Sequence, residues 1–354
     1  MTTYCTAYLG CQDLRSERVR TITVSKDSSG DYKTIQEALE SIPIQNTSSL
    51  KIYVHKGVYE EKLLIQKPFI TIEGESPEET IITYGDYGKM LMANGEKRGT
   101  FRTSTVMIDA NYVTVKNLTI RNDAGPGHLV GQAIALYADG DHLEFEHCRI
   151  LGWQDTLFIG PLPPKPLIEN GFAGPKEDAP RIHGRQYYKK CYIEGNIDFI
   201  FGSGTAYFDN CEIFAKSLEN QEEIREEEIK EEEKRKEDTK GYITAPSTPQ
   251  DKRWGFIFYH CRFTSNCPPD TVYLGRPWRN YAKAVLIHCH LGAHIKEEGW
   301  SDWNKVDARK TVYFGEYKSI GEGRKGISLG KRVSWSKQLT TEESKEYKKA
   351  RVFL

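Results

Sequence analysis

The hydrophobic positions of the chain follow a repeated pattern in which a short apolar strand ends at a polar corner. Each copy continues through His, Lys or Asn to Cys or Leu, skips one residue and returns to an apolar residue. Because such short strands cannot bury an apolar face alone, stacked copies must share one core. The pattern predicts an all-β solenoid, a parallel β-helix. The clearest copies occupy residues 113–120, 145–152, 188–195, 207–213, 256–263 and 285–291.

Two consecutive copies carry an acid at the same position. Asp155 lies seven residues after Cys148, and Asp198 lies seven residues after Cys191. Since neighbouring strands lie about 4.8 Å apart, equivalent residues on adjacent coils are near neighbours. We therefore expect the two acids to form a carboxylate pair, with Asp198 inside the apolar run 195–202. The alternative is that both acids cap turns of the solenoid.

Two segments interrupt the repeats. Residues 161–180 are rich in proline and predict a loop between the two acid-bearing coils. Residues 217–240 contain the almost wholly charged run 219–240, with Glu–Lys and Glu–Arg pairs at helical spacing. This composition favours a solvated helical or mobile insertion over a binding element.

Helices are expected at both ends of the solenoid, which needs caps. Thr34 and Glu37 form a capping-box pattern for a helix over residues 34–42. A second helix is predicted over residues 341–350. The predicted organisation is an N-terminal extension at 1–20, one β-helix domain at 21–335 and a helical tail at 336–354.

Composition excludes two classes of partner. The 354 residues are 38% hydrophobic and 28% charged, with a formal net charge of -1. A balanced charge offers no electrostatic case for nucleic acid. No apolar run approaches the about 18 residues of a membrane span. We expect a monomer that binds neither nucleic acid nor membrane.

The cysteines favour reduced thiols over disulfides or a metal site. Of the eight cysteines, five share one repeat position, which predicts stacked and buried side chains. No CxxC or HxxxH spacing is present, so metal ligation is not expected. The sequence as written also begins without a basic segment followed by an apolar one. These features favour a cytoplasmic protein, although a trimmed secreted protein would have the same beginning. The five cysteines are Cys148, Cys191, Cys211, Cys261 and Cys289.

The predicted acid pair has neighbours suited to acyl transfer. Two close carboxylates have pKa values that are driven apart, so one serves as nucleophile or base and the other as acid. Gln132 and Gln154 offer amide donors for a developing oxyanion. Arg276 can bind a carboxylate through two hydrogen bonds and keep it ionised. Taken singly, Arg276 fits a surface ion pair equally well, and Gln132 fits a satisfied core amide.

Five segments taken together resemble the pectinesterase (pectin methylesterase) family, bacterial-type. The likeness spans residues 21–335 and agrees with the repeats, because the family fold is a right-handed parallel β-helix. The segments are Gly-Val-Tyr-Glu-Glu at 57–61, Gln-Ala-Ile-Ala-Leu at 132–136, Gln-Asp-Thr-Leu at 154–157, Asp-Phe-Ile-Phe-Gly at 198–202 and Leu-Gly-Arg-Pro-Trp at 274–278.

The resemblance implies a role for each candidate residue. Asp198 would attack the C6 methyl ester carbonyl of a galacturonate unit in pectin or an oligogalacturonide. Asp155 would protonate the departing methanol and then activate water. Gln132 and Gln154 would stabilise the oxyanion, and Arg276 would hold Asp198 ionised. No metal or organic cofactor is implied. Aromatic walls of the sugar cleft would come from Trp278, Phe101, Trp153, Phe199 and Trp300.

The sequence departs from the family pattern at Trp153, where the family often has a smaller residue or tyrosine. The two long insertions could crowd or extend the cleft. The leaderless beginning and the reduced core cysteines motivate the hypothesis that the protein acts inside the cell on imported methylated oligogalacturonides. Activity found only in the culture supernatant of the native host would contradict this hypothesis.

Two alternative functions stay open from the sequence alone. One is another β-helix pectin enzyme, either a lyase or a glycosidase. Such a lyase holds calcium with clustered acids, and a glycosidase places two carboxylates around a glycosidic bond. The amide pair and the single arginine fit ester chemistry better. The other alternative is a sugar-binding relative without catalysis.

Overall fold

The computed structural model describes residues 19–218 and 239–353, and it confirms the parallel β-helix. Its strands form three sheets in which all neighbouring strands are parallel. Each central coil contributes one strand to each sheet in turn, so the chain winds around a single core. The predicted charged run 219–240 lies outside the described residues except for 239 and 240, and the predicted extension 1–20 lies outside them except for 19 and 20.

The three sheets contain eleven, eight and seven strands, and each strand pairs with the next one along its sheet. The eleven-stranded sheet contains β1 Arg20–Val24, β2 Leu50–Val54, β5 Ile70–Gly74, β8 Val113–Lys116, β11 Leu143–Glu146, β14 Arg185–Lys189, β17 Thr205–Asp209, β20 Phe256–Tyr259, β23 Lys283–Ile287, β25 Tyr313–Tyr317 and β26 Lys337–Gln338. The eight-stranded sheet contains β24 His290–Leu291, β21 Arg262–Ser265, β18 Glu212–Ala215, β15 Tyr192–Gly195, β12 Arg149–Leu151, β9 Thr119–Asn122, β6 Thr80–Tyr84 and β3 Gly57–Glu60. The seven-stranded sheet contains β22 Val272–Gly275, β19 Gly241–Pro246, β16 Ile197–Gly202, β13 Leu157–Ile159, β10 Leu136–Ala138, β7 Val106–Ile108 and β4 Leu63–Ile65.

The polar corner of the repeat is a residue with positive φ. His147 and Lys190, which precede Cys148 and Cys191, have φ values of 51° and 50°. This left-handed conformation turns the chain sharply from the first sheet into the second. The buried thiol that follows donates a hydrogen bond to a carbonyl of the preceding coil, as Cys191 does to Phe145 O at 3.4 Å. The predicted stack of reduced, buried cysteines is therefore confirmed at the five positions.

Aromatic side chains form a ladder through the centre of the solenoid. Phe145 stacks on Tyr188, Tyr188 on Phe208 and Phe208 on Phe258, with ring centroids 4.6, 4.8 and 4.6 Å apart. Each such pair contributes about 0.5–1.5 kcal/mol beyond its buried area. The ladder fixes the spacing of consecutive coils, including the two that carry the acids.

Short helices lie at the ends and corners of the solenoid. The first, α1, shows the predicted capping box, since Glu37 N donates to Thr34 Oγ1 and Thr34 N donates to the Glu37 carboxylate. The single helix predicted over 341–350 is wrong, because Lys348 is extended at ψ 138° and separates two short helices. No helix in the described ranges is long and apolar enough to cross a membrane. The helices are α1 Ile35–Glu40, α2 Gly127–Val130, α3 Lys325–Ser328, α4 Thr341–Ser344 and α5 Lys349–Val352.

Candidate active site

The strand register places the two acids side by side on adjacent coils. Leu157 of β13 pairs with Ile200 of β16, which sets Asp155 opposite Asp198 two residues earlier. The Asp155 amide donates to Ile197 O at 3.1 Å, so the pairing continues through the acids. The spacing of seven residues after each cysteine thus corresponds to a real structural equivalence.

Both acids sit on backbone that most residues avoid. Asp155 has φ 63° and Asp198 has φ 49°, and the pairing of β16 with β19 shifts register across Asp198. Gly195 makes this geometry possible, because a Cβ there would lie 2.2 Å from the Phe199 Cβ. Local strain of this kind concentrates at functional sites, where surrounding structure over-determines it.

Arg276 pairs with Asp198 in two parallel hydrogen bonds. Its Nε donates to Asp198 Oδ1 at 2.8 Å, and its Nη2 donates to Oδ2 at 2.7 Å. The guanidinium lies between two aromatic rings, with the centroids of Tyr242 and Trp303 each 3.8 Å from its central carbon. The pair is almost buried, at 13% and 9% side-chain exposure. Packing and pairing together fix the orientation of the Asp198 carboxylate.

The pKa values of both acids are raised, but the causes differ between them. Burial raises the pKa of Asp155 well above its usual range, and the neighbouring Asp198 charge raises it further. Burial also raises the pKa of Asp198, but the hydrogen bonds and charge of Arg276 oppose that rise. Asp155 is without an ion pair among the described residues. The geometry therefore favours a protonated Asp155 beside an ionised Asp198.

Two glutamine side chains complete the polar part of the site. Gln154 directly precedes Asp155, and Ala133 N donates to Gln154 O at 3.1 Å, which brings Gln132 to the neighbouring coil. Gly127, the first residue of α2, packs against Gln154 so closely that a Cβ would lie 2.5 Å from Oε1. A Cβ at Gly88 would lie 3.1 Å from Gln132 Oε1. The close backbone at Gly127 and Gly88 thus limits the positions of the Gln154 and Gln132 side-chain amides.

A cavity of about 350 Å³ brings these groups together. All five candidate polar residues line it, and so do Phe101 and Trp278. Three other aromatic candidates do not line it. Phe199 and Trp300 are core residues at 0% and 1% exposure, and Trp300 stacks on Phe314 at 4.4 Å. Trp153 lies beside Lys216, whose Nζ is 3.8 Å from the ring centroid.

Three residues beside the two acids and Arg276 belong to none of the sequence motifs described above: Lys305, Trp303 and Tyr242. Lys305 Nζ donates to the carbonyls of Pro277 and Trp278 at 2.9 and 3.0 Å. Burial and the charge of Arg276 lower the pKa of Lys305 to about 8. Trp303 belongs to the same irregular segment. Tyr242 pairs in register with Ile197, so counting strands from Asp198 would have found it.

Comparisons with known proteins identify the family of this chain. The Pectinesterase family model matches residues 21–161 and 177–353. Pectinesterase 31 from Arabidopsis thaliana is 32% identical over 332 residues, covering 92% of this chain and 89% of that protein. Among solved structures, a pectin methylesterase from carrot gives a TM-score of 0.75 at 25% identity, covering 98% of this chain and 94% of that one.

A further solved structure is a pectin methylesterase in complex with a hexasaccharide. It gives a TM-score of 0.74 at 27% identity, covering 95% of this chain and 97% of that one. These relatives share the right-handed parallel β-helix seen here. With a family model over most of its length, the chain belongs to the pectinesterase family.

Proposed function

We propose that this member of a family of carboxylic ester hydrolases cleaves the C6 methyl esters of pectin through a covalent intermediate on Asp198. The observation that carries the proposal is the two-hydrogen-bond pair of Arg276 with Asp198, beside Asp155 in one cavity. An ionised carboxylate held next to a protonated one supplies a nucleophile and an acid at the same ester.

In the first half of the reaction, an Asp198 oxygen attacks the ester carbonyl carbon. The carbonyl oxygen becomes an oxyanion, to which the amides of Gln132 and Gln154 donate hydrogen bonds. The tetrahedral intermediate then collapses, the bond to the methoxy oxygen breaks and Asp155 gives its proton to the leaving methanol. The product is a mixed anhydride between Asp198 and the galacturonate.

In the second half, the Asp155 carboxylate takes a proton from water. The resulting hydroxide attacks the galacturonyl carbon of the anhydride, and collapse releases Asp198 as a carboxylate and the product as galacturonic acid, which loses its proton to solvent. Asp155 is protonated again, so both acids return to their starting states. Arg276 stays in contact with Asp198 and stabilises it as the leaving carboxylate.

The substrate is proposed to be pectin or a methylated oligogalacturonide. Phe101 and Trp278 line the cavity with aromatic surface, which suits the C–H faces of a sugar. The related protein solved with a hexasaccharide supports an oligosaccharide cleft. We propose that the protein acts as a monomer, which sedimentation of the purified chain would test.

Methanol release from highly methylated pectin tests the function. With EDTA present, the wild type should release methanol and Asp198→Asn should release almost none. Asp209→Asn is a matched control, since Asp209 lies outside the cavity and accepts a hydrogen bond from Tyr187. A folded wild type that releases no methanol would contradict the proposal. Loss of viscosity of de-esterified pectin would instead favour a lyase or glycosidase.

A further inference from the structure

The candidate cavity has a wall that the family model does not cover. The family match leaves out residues 162–176, between its two matched segments. Leu167, Ile168 and Phe172 of this segment line the same cavity as the two acids. We refer to residues 162–176 as the cavity wall. This chain therefore forms part of its candidate active site from residues outside the shared family pattern.

The cavity wall is packed against the solenoid by its apolar residues. Phe172 lies edge-on to Phe101 and Trp278, with ring centroids 5.7 and 6.1 Å away. Gly174 lies so close to Phe101 that a Cβ would be 2.9 Å from the Phe101 carbonyl oxygen. The wall thus shares a close contact surface with two residues that face the substrate cavity.

Charged residues hold the end of the wall in place. Lys176 forms an ion pair with Asp109 and lies 3.6 Å from the Asp139 carboxylate. Arg181, just beyond the wall, donates to Lys176 O at 2.8 Å and to Pro163 O at 3.2 Å. These bonds join the two ends of the wall to each other and to the solenoid.

The tip of the wall presents apolar side chains to solvent at the cavity mouth. Leu167 and Ile168 are 67% and 73% exposed although both line the cavity. Leu167 also lines an adjoining groove of about 680 Å³, together with Pro163 and Pro164. Exposed apolar surface that continues from a binding cavity marks a contact site for an apolar group of a ligand.

We propose that the cavity wall determines specificity by contacting methyl esters on the sugar units next to the one being cleaved. This inference rests on the proposed function. A methyl ester removes the charge of a galacturonate and offers a methyl group to Leu167 and Ile168. A free carboxylate at the same place would lose hydration against these side chains without gaining a partner from them.

Three cations line the groove beside the wall and would favour the opposite preference: Lys165, Arg279 and Lys305. Arg279 lines both the cavity and the groove, and its Nη2 donates to Lys165 O at 2.9 Å. This bond directs the Arg279 guanidinium toward the wall's backbone, and Lys305 Nζ donates to the carbonyls of Pro277 and Trp278, so both cations already have partners in the protein. The experiment must therefore compare methylated with carboxylated neighbours.

The test compares a Leu167→Ser/Ile168→Ser variant with wild type on two hexagalacturonates, one fully methylated and one with a single methyl ester. Ile182→Ser is the matched control, since Ile182 is 72% exposed but does not line the cavity. We expect kcat/KM for methanol release to fall about tenfold on the fully methylated substrate, near the lower end for a lost methylene contact. On the other substrate the fall should be less than about twofold.

The outcomes separate this inference from the proposed function. Equal effects on both substrates, or a larger loss on the singly methylated one, would overturn the role of the wall while leaving the esterase intact. No methanol release by the wild type from either substrate would overturn the proposed function itself. Since all three substituted side chains are exposed, thermal unfolding of both variants should match wild type.

Discussion

The coils of Asp155 and Asp198 occupy equivalent places in the solenoid, yet they provide different chemistry. Both acids lie seven residues after a buried cysteine, both have positive φ and both face one cavity. They differ in the residues that the following coils place beside them. Asp198 accepts hydrogen bonds from Arg276, which follows β22, whereas Asp155 lies next to the like charge of Asp198. A symmetric pair of carboxyl groups thereby becomes an unsymmetric one.

Position in the repeat sets the geometry of each acid, while the neighbouring coil sets its electrostatic surroundings. Burial raises the pKa of both acids and the charge of Arg276 opposes the rise at both, but only Asp198 also receives the hydrogen bonds of Arg276. The coils differ again one residue earlier, where the first has the amide of Gln154 and the second has Ile197. In the proposed mechanism, an acid and an oxyanion donor therefore come from one coil and the nucleophile from the next.

The largest expected effect comes from removing the nucleophile. Asp198→Asn keeps the shape of the side chain but removes its negative charge, so kcat should fall by about 10⁴-fold or more. Methanol release under substrate saturation measures this change, and circular dichroism checks the fold. A kcat within tenfold of wild type would remove Asp198 from the role of nucleophile.

Asp155→Asn should lower kcat by about 10²–10⁴-fold, as expected for loss of a general acid and base. A trifluoroethyl ester separates the two acids, because its alcohol leaves without prior protonation. We expect this ester to restore much of the acylation rate of Asp155→Asn and none of the activity of Asp198→Asn. Equal rescue of both variants would mean that the two coils do not have distinct roles.

Gln154→Leu should lower kcat by about 10²–10³-fold with little change in KM, because its amide acts on the oxyanion and not on the ground state. Steady-state kinetics on a methylated oligogalacturonide measures both constants. Ile197→Leu is the control at the equivalent position of the next coil. A rise in KM alone would place Gln154 in substrate binding.

Arg276→Gln should have its clearest effect on pH dependence. Removing a cation raises the pKa of Asp198 further, so Asp198 is ionised only at higher pH. The acid limb of the kcat/KM profile should therefore move to higher pH, while Arg276→Lys should move it less. An acid limb that stays in place would show that another group than Asp198 controls it.

Much of the fold and the polar site was predictable because repeats carry positional information. The repeated position of the cysteines predicted the corner of each coil and the stack of buried thiols. It also predicted that Asp155 and Asp198 occupy equivalent positions. Phe199 and Trp300, expected as aromatic walls of the cleft, instead lie in the core and do not line the cavity. Successive strand residues point to opposite faces, so Phe199 points into the core when Asp198 faces the cavity.

The remaining residues depend on contacts between distant parts of the chain. Trp303 and Lys305 reach the site from an irregular segment that has no strand period to count. The cavity wall is placed by Lys176 and Arg181, whose partners include Asp109 and Pro163. No local pattern in a proline-rich loop specifies such long-range contacts.

The most direct test of the central claim is an isotope-edited infrared titration of the free enzyme. Carboxyl bands of ¹³C-labelled aspartate, assigned by difference from Asp155→Asn and Asp198→Asn, report the protonation of each acid. At neutral pH we predict a protonated carboxyl at Asp155 and a carboxylate at Asp198. An ionised Asp155 beside a protonated Asp198, or two carboxylates, would contradict the assignment of acid and nucleophile.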